Sequence, residues 1–230
     1  MGLDLDRIEG LCFDVDGTLS DTDDVWVSRF TNLLAPVNFL SPRGNHQRLA
    51  RWLIMASESP GNVLYETLDR LNLDDKITFL YHRMIKSNLG CKPRLFWMVK
   101  GVFEMLATLY SQFPMAIVSA RDEMTTNLFL DQFNITQLFK SVVTSQSCRY
   151  TKPFPDPVIK AATDMGLHPQ QCLMIGDTTV DIRAGKAASA QTVGVLCGFG
   201  TERELRRAGA DLILESTAQL KDILGEKRRG

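Results

Sequence analysis

Short apolar runs alternate with amphipathic stretches along this chain of 230 residues, and this alternation limits the possible folds more than any other feature. Six runs have the composition and length of buried strands, at 8–13, 115–119, 141–144, 172–175, 192–196 and 211–214. Helical periodicity predicts crossover helices at 102–110, 123–133, 158–165, 181–188 and 218–224. This order predicts an α/β fold, a mostly parallel sheet with helices on both faces.

One connection is far longer than the others. Roughly 80 residues separate the first apolar run from the first crossover helix, whereas βα loops usually have about 2 to 6. Apolar residues in this stretch recur at helical spacing, as in Trp26, Phe30 and Leu33. We therefore predict a small all-helical cap at 20–94, inserted after the first strand into a core domain formed by 1–19 and 95–230.

Composition excludes several classes of protein. With 26 basic and 27 acidic residues, the net charge of −1 argues against broad electrostatic capture of nucleic acid or of an anionic membrane. The five cysteines are scattered and form no C-x-x-C pair, which argues against a zinc site or a disulfide framework; Cys12 and Cys172 fit core packing. No stretch resembles a signal peptide or a membrane span, so we expect a cytoplasmic protein, monomeric or homodimeric.

Polar residues able to do chemistry follow the first four predicted strands. The string D-V-D-G-T occupies 14–18, Ser119 ends the second run, the third leads to Lys152, and Asp177 follows the fourth, with Asp181 one helical turn later. Functional sites of open α/β sheets gather at the carboxyl ends of the strands. These residues are therefore expected to converge on one site.

The carboxylates among them predict a metal ion. Asp14 and Asp16, two residues apart at a strand end, lie close enough for costly repulsion unless a cation or a shared proton relieves it. Carboxylate and carbonyl oxygens suit Mg²⁺, which takes few protein ligands and keeps several waters. Asp177 is the candidate for a third carboxylate.

Each residue, taken singly, also has a purely structural explanation. An isolated D-x-D-G string is equally typical of a turn. If a helix begins near Thr178, capping explains Asp177 acceptably and Asp181 less well. Ser119 is compatible with a helix cap and Lys152 with an ordinary surface lysine. Only their combination and order favour a site.

That combination resembles a known family. In order along the chain, D-V-D-G-T-L at 14–19, Ser119, Lys152 followed by proline, and G-D-x-x-x-D at 176–181 resemble the four motifs of haloacid dehalogenase-like phosphatases. The resemblance spans 8–224 and is especially close to the phosphoglycolate phosphatase branch. It implies a flavodoxin-like, Rossmann-like core with strand order 5-4-1-2-3, a helical C1-type cap and Mg²⁺ as the cofactor.

The resemblance also implies roles for the motif residues. By position, Asp14 is the nucleophile that forms an aspartyl-phosphate, and Asp16 is the general acid and base. The implied Mg²⁺ ligands are the carboxylates of Asp14 and Asp177 and the main-chain carbonyl of Asp16, with Asp181 acting without direct contact. The implied catalytic set is Asp14, Asp16, Ser119 and Lys152. The implied phosphate-binding set is Asp14, Val15, Asp16, Ser119, Ala120 and Lys152.

The implied activity is hydrolysis of a small phosphorylated metabolite, a phosphomonoester similar to phosphoglycolate. Asp16 disfavours haloacid dehalogenase chemistry, because a halide needs no proton to leave. Thr18 favours a hydrolase over a phosphosugar mutase, which more often has D-x-D-G-V, but mutase and inorganic pyrophosphatase remain alternatives. Two non-enzymatic alternatives are a receiver-like signalling module, opposed by the long insert, and a catalytically dead binding relative, opposed by the intact carboxylates.

Two departures from the phosphoglycolate phosphatase pattern leave the substrate open. Ala120 and Arg121 follow Ser119 where that branch commonly has Asn and Lys, and Lys100 precedes Gly101 and Val102 where the branch usually has proline. In the predicted cap, four basic residues are candidates for binding a carboxylate or a second phosphate: Arg48, Arg51, Arg83 and Lys86.

Overall fold

The sheet is parallel throughout. The computed structural model describes residues 2–21 and 96–225, and its strands are β1 (Gly10–Phe13), β2 (Met115–Val118), β3 (Ser141–Val143), β4 (Cys172–Gly176), β5 (Gln191–Val195) and β6 (Leu212–Leu214). They lie in the order β3-β2-β1-β4-β5-β6, and each neighbouring pair is parallel. The predicted α/β, Rossmann-like fold is confirmed, and β6 extends the expected order by one strand.

Helices connect the strands in the described residues. The α-helices are α1 (Val102–Tyr110), α2 (Glu123–Gln132), α3 (Asp156–Met165), α4 (Thr179–Ala187), α5 (Glu202–Ala208) and α6 (Leu220–Leu224). Single turns of 3₁₀ helix occupy Leu5–Arg7, Thr136–Leu138, Pro169–Gln171 and Thr217–Gln219.

Alternating side chains of the central strands build a core on each face of the sheet. Leu11 and Phe13 face a cluster that includes residues of α1, α2 and α6, whereas Cys12 between them faces a cluster with α3 and α4. Both faces of β1 are therefore buried, which explains why its sequence is continuously apolar rather than alternating. Cys12 and Cys172 are buried free thiols, as core packing requires.

Helix α5 was missed by the periodicity argument because it is short and has one fully buried residue, Leu205. Its first turn nevertheless has a readable capping box. The Thr201 hydroxyl accepts from the amide of Glu204, and the Glu204 carboxylate accepts from the amide of Thr201.

The chain leaves the core and returns to it at the same place. The amide of Asp21 donates to the carbonyl of Trp97 at 2.8 Å, and the amide of Val99 donates to the carbonyl of Leu19 at 3.0 Å. Apart from its first two residues, the predicted cap at 20–94 lies outside the described residues, as do its four basic candidates. The division into core and cap therefore stays a prediction.

Strand order places the candidate residues at the middle of the sheet. The chain passes from β1 to β2 and β3 on one side, then crosses to β4 on the other side. The connections after β1 and β4 consequently diverge at the carboxyl edge, the point where open α/β sheets form ligand crevices. No helix in 2–21 and 96–225 is long and apolar enough to span a membrane, and the cytoplasmic location stays a prediction.

Candidate active site

A buried ion-pair triad lies at the carboxyl edge of β1 and β4. The ammonium nitrogen of Lys152 donates to Asp14 Oδ1 and to Asp181 Oδ1, each at 2.6 Å. All three side chains are less than a tenth exposed. Asp14 is held in place because its amide continues the pairing of β1 with β4, donating to the carbonyl of Ile175 at 2.9 Å. Lys152 is thus an interior residue and not an ordinary surface lysine.

Asp177 is the third buried carboxylate of this site. Its Oδ2 accepts from the amide of Phe199 at 2.7 Å, and the Thr18 hydroxyl lies 3.4 Å from its Oδ1. Gly17 and Gly198 pack against the same carboxylate so closely that a Cβ on either would collide with it. The loop after β5, through Gly198 and Phe199, therefore fixes the position of Asp177, which directly follows β4.

Asp181, not Asp177, supports the first turn of α4. Thr178 is the N-cap residue, and Asp181 Oδ2 accepts from both its amide, at 3.0 Å, and its hydroxyl, at 2.7 Å. The expectation that capping would suit Asp177 better was wrong, because a capping box uses the third helical residue. With Oδ1 on Lys152 and Oδ2 on Thr178, Asp181 has both oxygens engaged by protein groups.

Burial and like charge dominate the electrostatics of the triad. Burial raises the pKa of Asp14 to about 7; Lys152 opposes this shift, whereas the carboxylates of Asp181 and Asp16 add to it. Burial alone would lower the pKa of Lys152, but Asp14 and Asp181 outweigh it and hold that pKa above its ordinary value. Lys152 therefore stays positively charged, whereas the positive charge around Asp14 is too small to keep its pKa at the ordinary value.

The donor set fits a hard divalent cation. Asp14, Asp177 and Asp181 each offer an oxygen, and these oxygens all lie within 4.8 Å of one another. Three buried carboxylates with one ammonium would carry a net charge of −2 if all were ionised, which a buried site does not tolerate without a counter-ion. Asp181 accepts short hydrogen bonds on both oxygens, whereas the contact of Asp177 Oδ1 with the Thr18 hydroxyl is long, at 3.4 Å, so Asp14 and Asp177 are the better candidates for direct contact with Mg²⁺.

Asp16 lies at the edge of this cluster and is paired with a residue outside the predicted set. Arg121 Nε donates to Asp16 Oδ2 at 2.5 Å, and Nη2 donates to Oδ1. Ser119 Oγ accepts from the amide of Arg121 at 3.2 Å. The cap of α2 is Asp122, whose carboxylate accepts from the amide of Thr125, so Ser119 does not serve as that cap.

The structure thus brings Asp14, Lys152, Asp177 and Asp181 together and places Asp16 and Ser119 beside Arg121. Of the predicted backbone contacts to phosphate, Val15 is buried and Ala120 is exposed. Their part in phosphate binding stays a prediction, as do the catalytic roles of the other residues.

Comparison with known proteins assigns the family. A family model described as haloacid dehalogenase-like hydrolase matches residues 11–195, which include all of these side chains. The chain belongs to the haloacid dehalogenase-like hydrolases. The resemblance found in the four motifs is confirmed.

Relatives of this hydrolase have two kinds of name. A protein of Anoxybacillus flavithermus named pyrophosphatase PpaX is 29% identical over 97% of this chain and 100% of its own length. A protein of Haemophilus influenzae named phosphoglycolate phosphatase is 30% identical over 92% of this chain and 96% of its own. At this level of identity, the two names agree on phosphate chemistry and differ in substrate.

Solved structures share the fold. A hydrolase of this family from Deinococcus radiodurans, described with bound phosphate and sodium, has a TM-score of 0.69 at 24% identity. The match covers 96% of each chain. It supports the α/β architecture of the described core and adds nothing on substrate.

Proposed function

We propose that this hydrolase is a Mg²⁺-dependent phosphatase that cleaves a small phosphomonoester through an aspartyl-phosphate on Asp14. The observation that carries the proposal is the buried triad: Lys152 contacts Asp14 and Asp181 at 2.6 Å, with Asp177 completing a set of three carboxylates. Family membership supports hydrolysis. The carboxylate cluster supports the Mg²⁺ requirement, because a bound cation would let the anionic substrate approach the anionic nucleophile.

The proposed first step transfers the phosphoryl group to the protein. An oxygen of Asp14 attacks phosphorus, the bond from phosphorus to the leaving oxygen breaks, and Asp16 gives that oxygen a proton. In the second step, Asp16 takes a proton from water, the oxygen of that water attacks the acyl phosphate, and inorganic phosphate leaves Asp14. A bound Mg²⁺ would supply positive charge between the two reacting anions.

Four other residues prepare the site for these steps. Lys152 offsets the negative charge on Asp14 and on the transferring oxygens, and Asp181 holds the lysine in that position. Asp177 would share the ion with Asp14 and with the main-chain carbonyl of Asp16. Ser119 would donate to a phosphoryl oxygen, since the amide of Arg121 uses its oxygen only as an acceptor.

Phosphoglycolate and pyrophosphate are the first substrates to test, because relatives with these activities in their names cover nearly the whole chain. The experiment is release of inorganic phosphate by the purified full-length protein, with Mg²⁺ and with EDTA, over a panel that adds sugar phosphates and nucleotides. We expect Mg²⁺-dependent turnover. Absence of turnover on every phosphomonoester of the panel, with correctly folded protein, would refute the proposal, and turnover of pyrophosphate alone would favour the pyrophosphatase alternative.

The covalent step has its own test. Borohydride reduces an aspartyl-phosphate to homoserine, so reaction mixtures quenched with it should show that change at Asp14 by peptide mass spectrometry. Asp14→Asn is the matched control: it should fold, release no phosphate and give no homoserine. Turnover by Asp14→Asn would remove this residue from the role of nucleophile.

A further inference from the structure

Arg121 is fixed on several sides at the edge of the proposed active site. Its guanidinium lies over the rings of Phe96 and Phe129, at 5.0 and 6.0 Å from their centroids, and its side chain is only 13% exposed. Its amide donates to Ser119 Oγ, and its carbonyl accepts from the amide of Ser145 at 3.0 Å. Such a residue has little freedom to move with a ligand.

The aromatic support is itself anchored. The side-chain amide of Gln132 accepts from the backbone amide of Phe96 at 3.0 Å and donates to its carbonyl at 2.8 Å. Phe96 packs edge to face on Phe129, at 5.8 Å between centroids. Helix α2 thereby fixes both rings that contact the guanidinium, and stacking on aromatic faces suits arginine better than lysine.

Arg121 holds the carboxylate of Asp16. Its Nε and Nη2 donate one hydrogen bond to each oxygen of that carboxylate. Two parallel hydrogen bonds from a planar guanidinium fix the orientation of the carboxylate as well as its position. A carboxylate has about four acceptor positions. One lone pair on each oxygen therefore stays available for exchanging a proton while the pair is intact.

We infer that Arg121 is a positioning residue for Asp16, and that it acts on the reaction by keeping the acid and base in one orientation beside the phosphoryl site. This inference rests on the proposed function, because Asp16 has a proton to transfer only if the chain cleaves phosphate esters. The rival explanation is direct contact of Arg121 with the substrate. Such contact would use the third nitrogen, Nη1, which is buried and has no hydrogen-bond partner in the described residues.

The dependence of rate on the leaving group separates these explanations. Values of kcat/KM are measured for dinitrophenyl phosphate, whose phenolate leaves without a proton, for phenyl phosphate and for an alkyl phosphate, in wild type, Arg121→Met and Arg121→Lys. General acid catalysis contributes about 10²–10⁴-fold. We expect Arg121→Met to lose at least about 10-fold more on the alkyl ester than on the dinitrophenyl ester, with Arg121→Lys between wild type and Arg121→Met.

A second series uses the Asp16→Asn background. If Arg121 acts through Asp16, adding Arg121→Met to Asp16→Asn changes kcat/KM by no more than a factor of about 2. Arg206→Met, which removes an exposed arginine paired with Glu202 on α5, is the matched control and should follow wild type throughout. If Arg121→Met does not fold, Arg121→Lys carries the same comparison.

Four results would overturn the inference. Equal losses on all three esters would show that Arg121 does not act through proton transfer, and a full loss that persists in Asp16→Asn would show direct contact with substrate. If wild type is active on the panel but Arg121→Met and Arg121→Lys both equal it, the inference fails alone. If folded wild type is inactive on the panel, the proposed function fails, and the inference fails with it.

Discussion

The ammonium of Lys152 lies 2.6 Å from the carboxylate of Asp14 in a site where each side chain is less than a tenth exposed. In a site so shielded from water, the two opposite charges are tolerated together, but removing either one leaves the other buried at a high cost in stability. Lys152 has a second carboxylate, Asp181, at the same distance, so its loss leaves the buried Asp181 carboxylate unneutralised and removes the charge that opposes the rise in the pKa of Asp14.

Lys152→Met should therefore destabilise the metal-free protein. We expect the free energy of unfolding to fall by about 3–5 kcal/mol, the usual cost of leaving a buried charge without its partner, and phosphate release to be lost. Urea denaturation in EDTA measures the first effect. The matched control is Lys160→Met, which breaks an exposed pair with Asp164 and should change stability by no more than about 0.5 kcal/mol. Equal stability of the two variants would contradict the prediction.

The raised pKa of Asp14 predicts a pH dependence of stability in the metal-free protein. Its pKa is about 7 in the folded state against an ordinary value of 3.8, so between these values the folded state binds more protons than the unfolded state. Stability should fall as pH rises through this window, with a slope from this group of at most about 1.4 kcal/mol per pH unit.

The measurement is the free energy of unfolding in EDTA from pH 4 to pH 7.5, compared between wild type and Asp14→Asn. The difference between the two should shrink or change in favour of the variant as pH rises. Saturating Mg²⁺ should flatten the dependence in wild type. A difference independent of pH would show that Asp14 is ionised in the folded protein across the whole range.

Mg²⁺ should raise the thermal stability of wild type, because an ion that binds only the folded state shifts the unfolding equilibrium. At about 100 times the dissociation constant the gain is about 2.7 kcal/mol. Asp177→Asn should lose most of this gain. Asp211→Asn removes a carboxylate outside the site, paired with Lys186 at 2.5 Å, and should keep the full response to Mg²⁺ even though its own stability is lower. Equal responses in both variants would exclude Asp177 as a ligand.

Gly198→Ala should impair the site without altering any of its charges. A Cβ at this position collides with the Asp177 carboxylate and with the carbonyl of Gly17, so Asp177 must move. We expect a reduced Mg²⁺-induced rise in Tm and reduced phosphate release. Gly209→Ala is the control: its backbone has φ 95°, and strain of about 1 kcal/mol should lower Tm while the response to Mg²⁺ stays normal. If Gly198→Ala responds to Mg²⁺ like wild type, the loop is not a support for Asp177.

The sequence predicts the composition of the site better than its internal contacts. Asp14, Ser119, Lys152 and Asp177 lie far apart in the chain, yet their position just past apolar runs brings them to one edge, because parallel strands all end on the same side. Boundaries follow with small errors: β1 begins at Gly10 rather than at residue 8.

No pattern in the sequence predicts the pairing of Arg121 with Asp16. It depends on side-chain direction across 105 residues of separation and on two rings that only the folded core brings together. The same holds for Phe199, whose contribution is a backbone amide that any residue except proline could supply. Asp181 was open to prediction, since Thr178 three residues before it is a typical capping-box partner.

The hydrogen bond between Asp21 and Trp97 has an evolutionary consequence. The chain leaves the core before residue 22 and returns to it after residue 95 at adjoining positions. The free-energy cost of closing a loop rises by only about 0.6 kcal/mol for each doubling of its length. Replacing that stretch by one of different size would therefore cost the core little. If it forms the predicted cap, any part that it has in choosing a substrate would be inheritable separately from the carboxylates at the sheet edge.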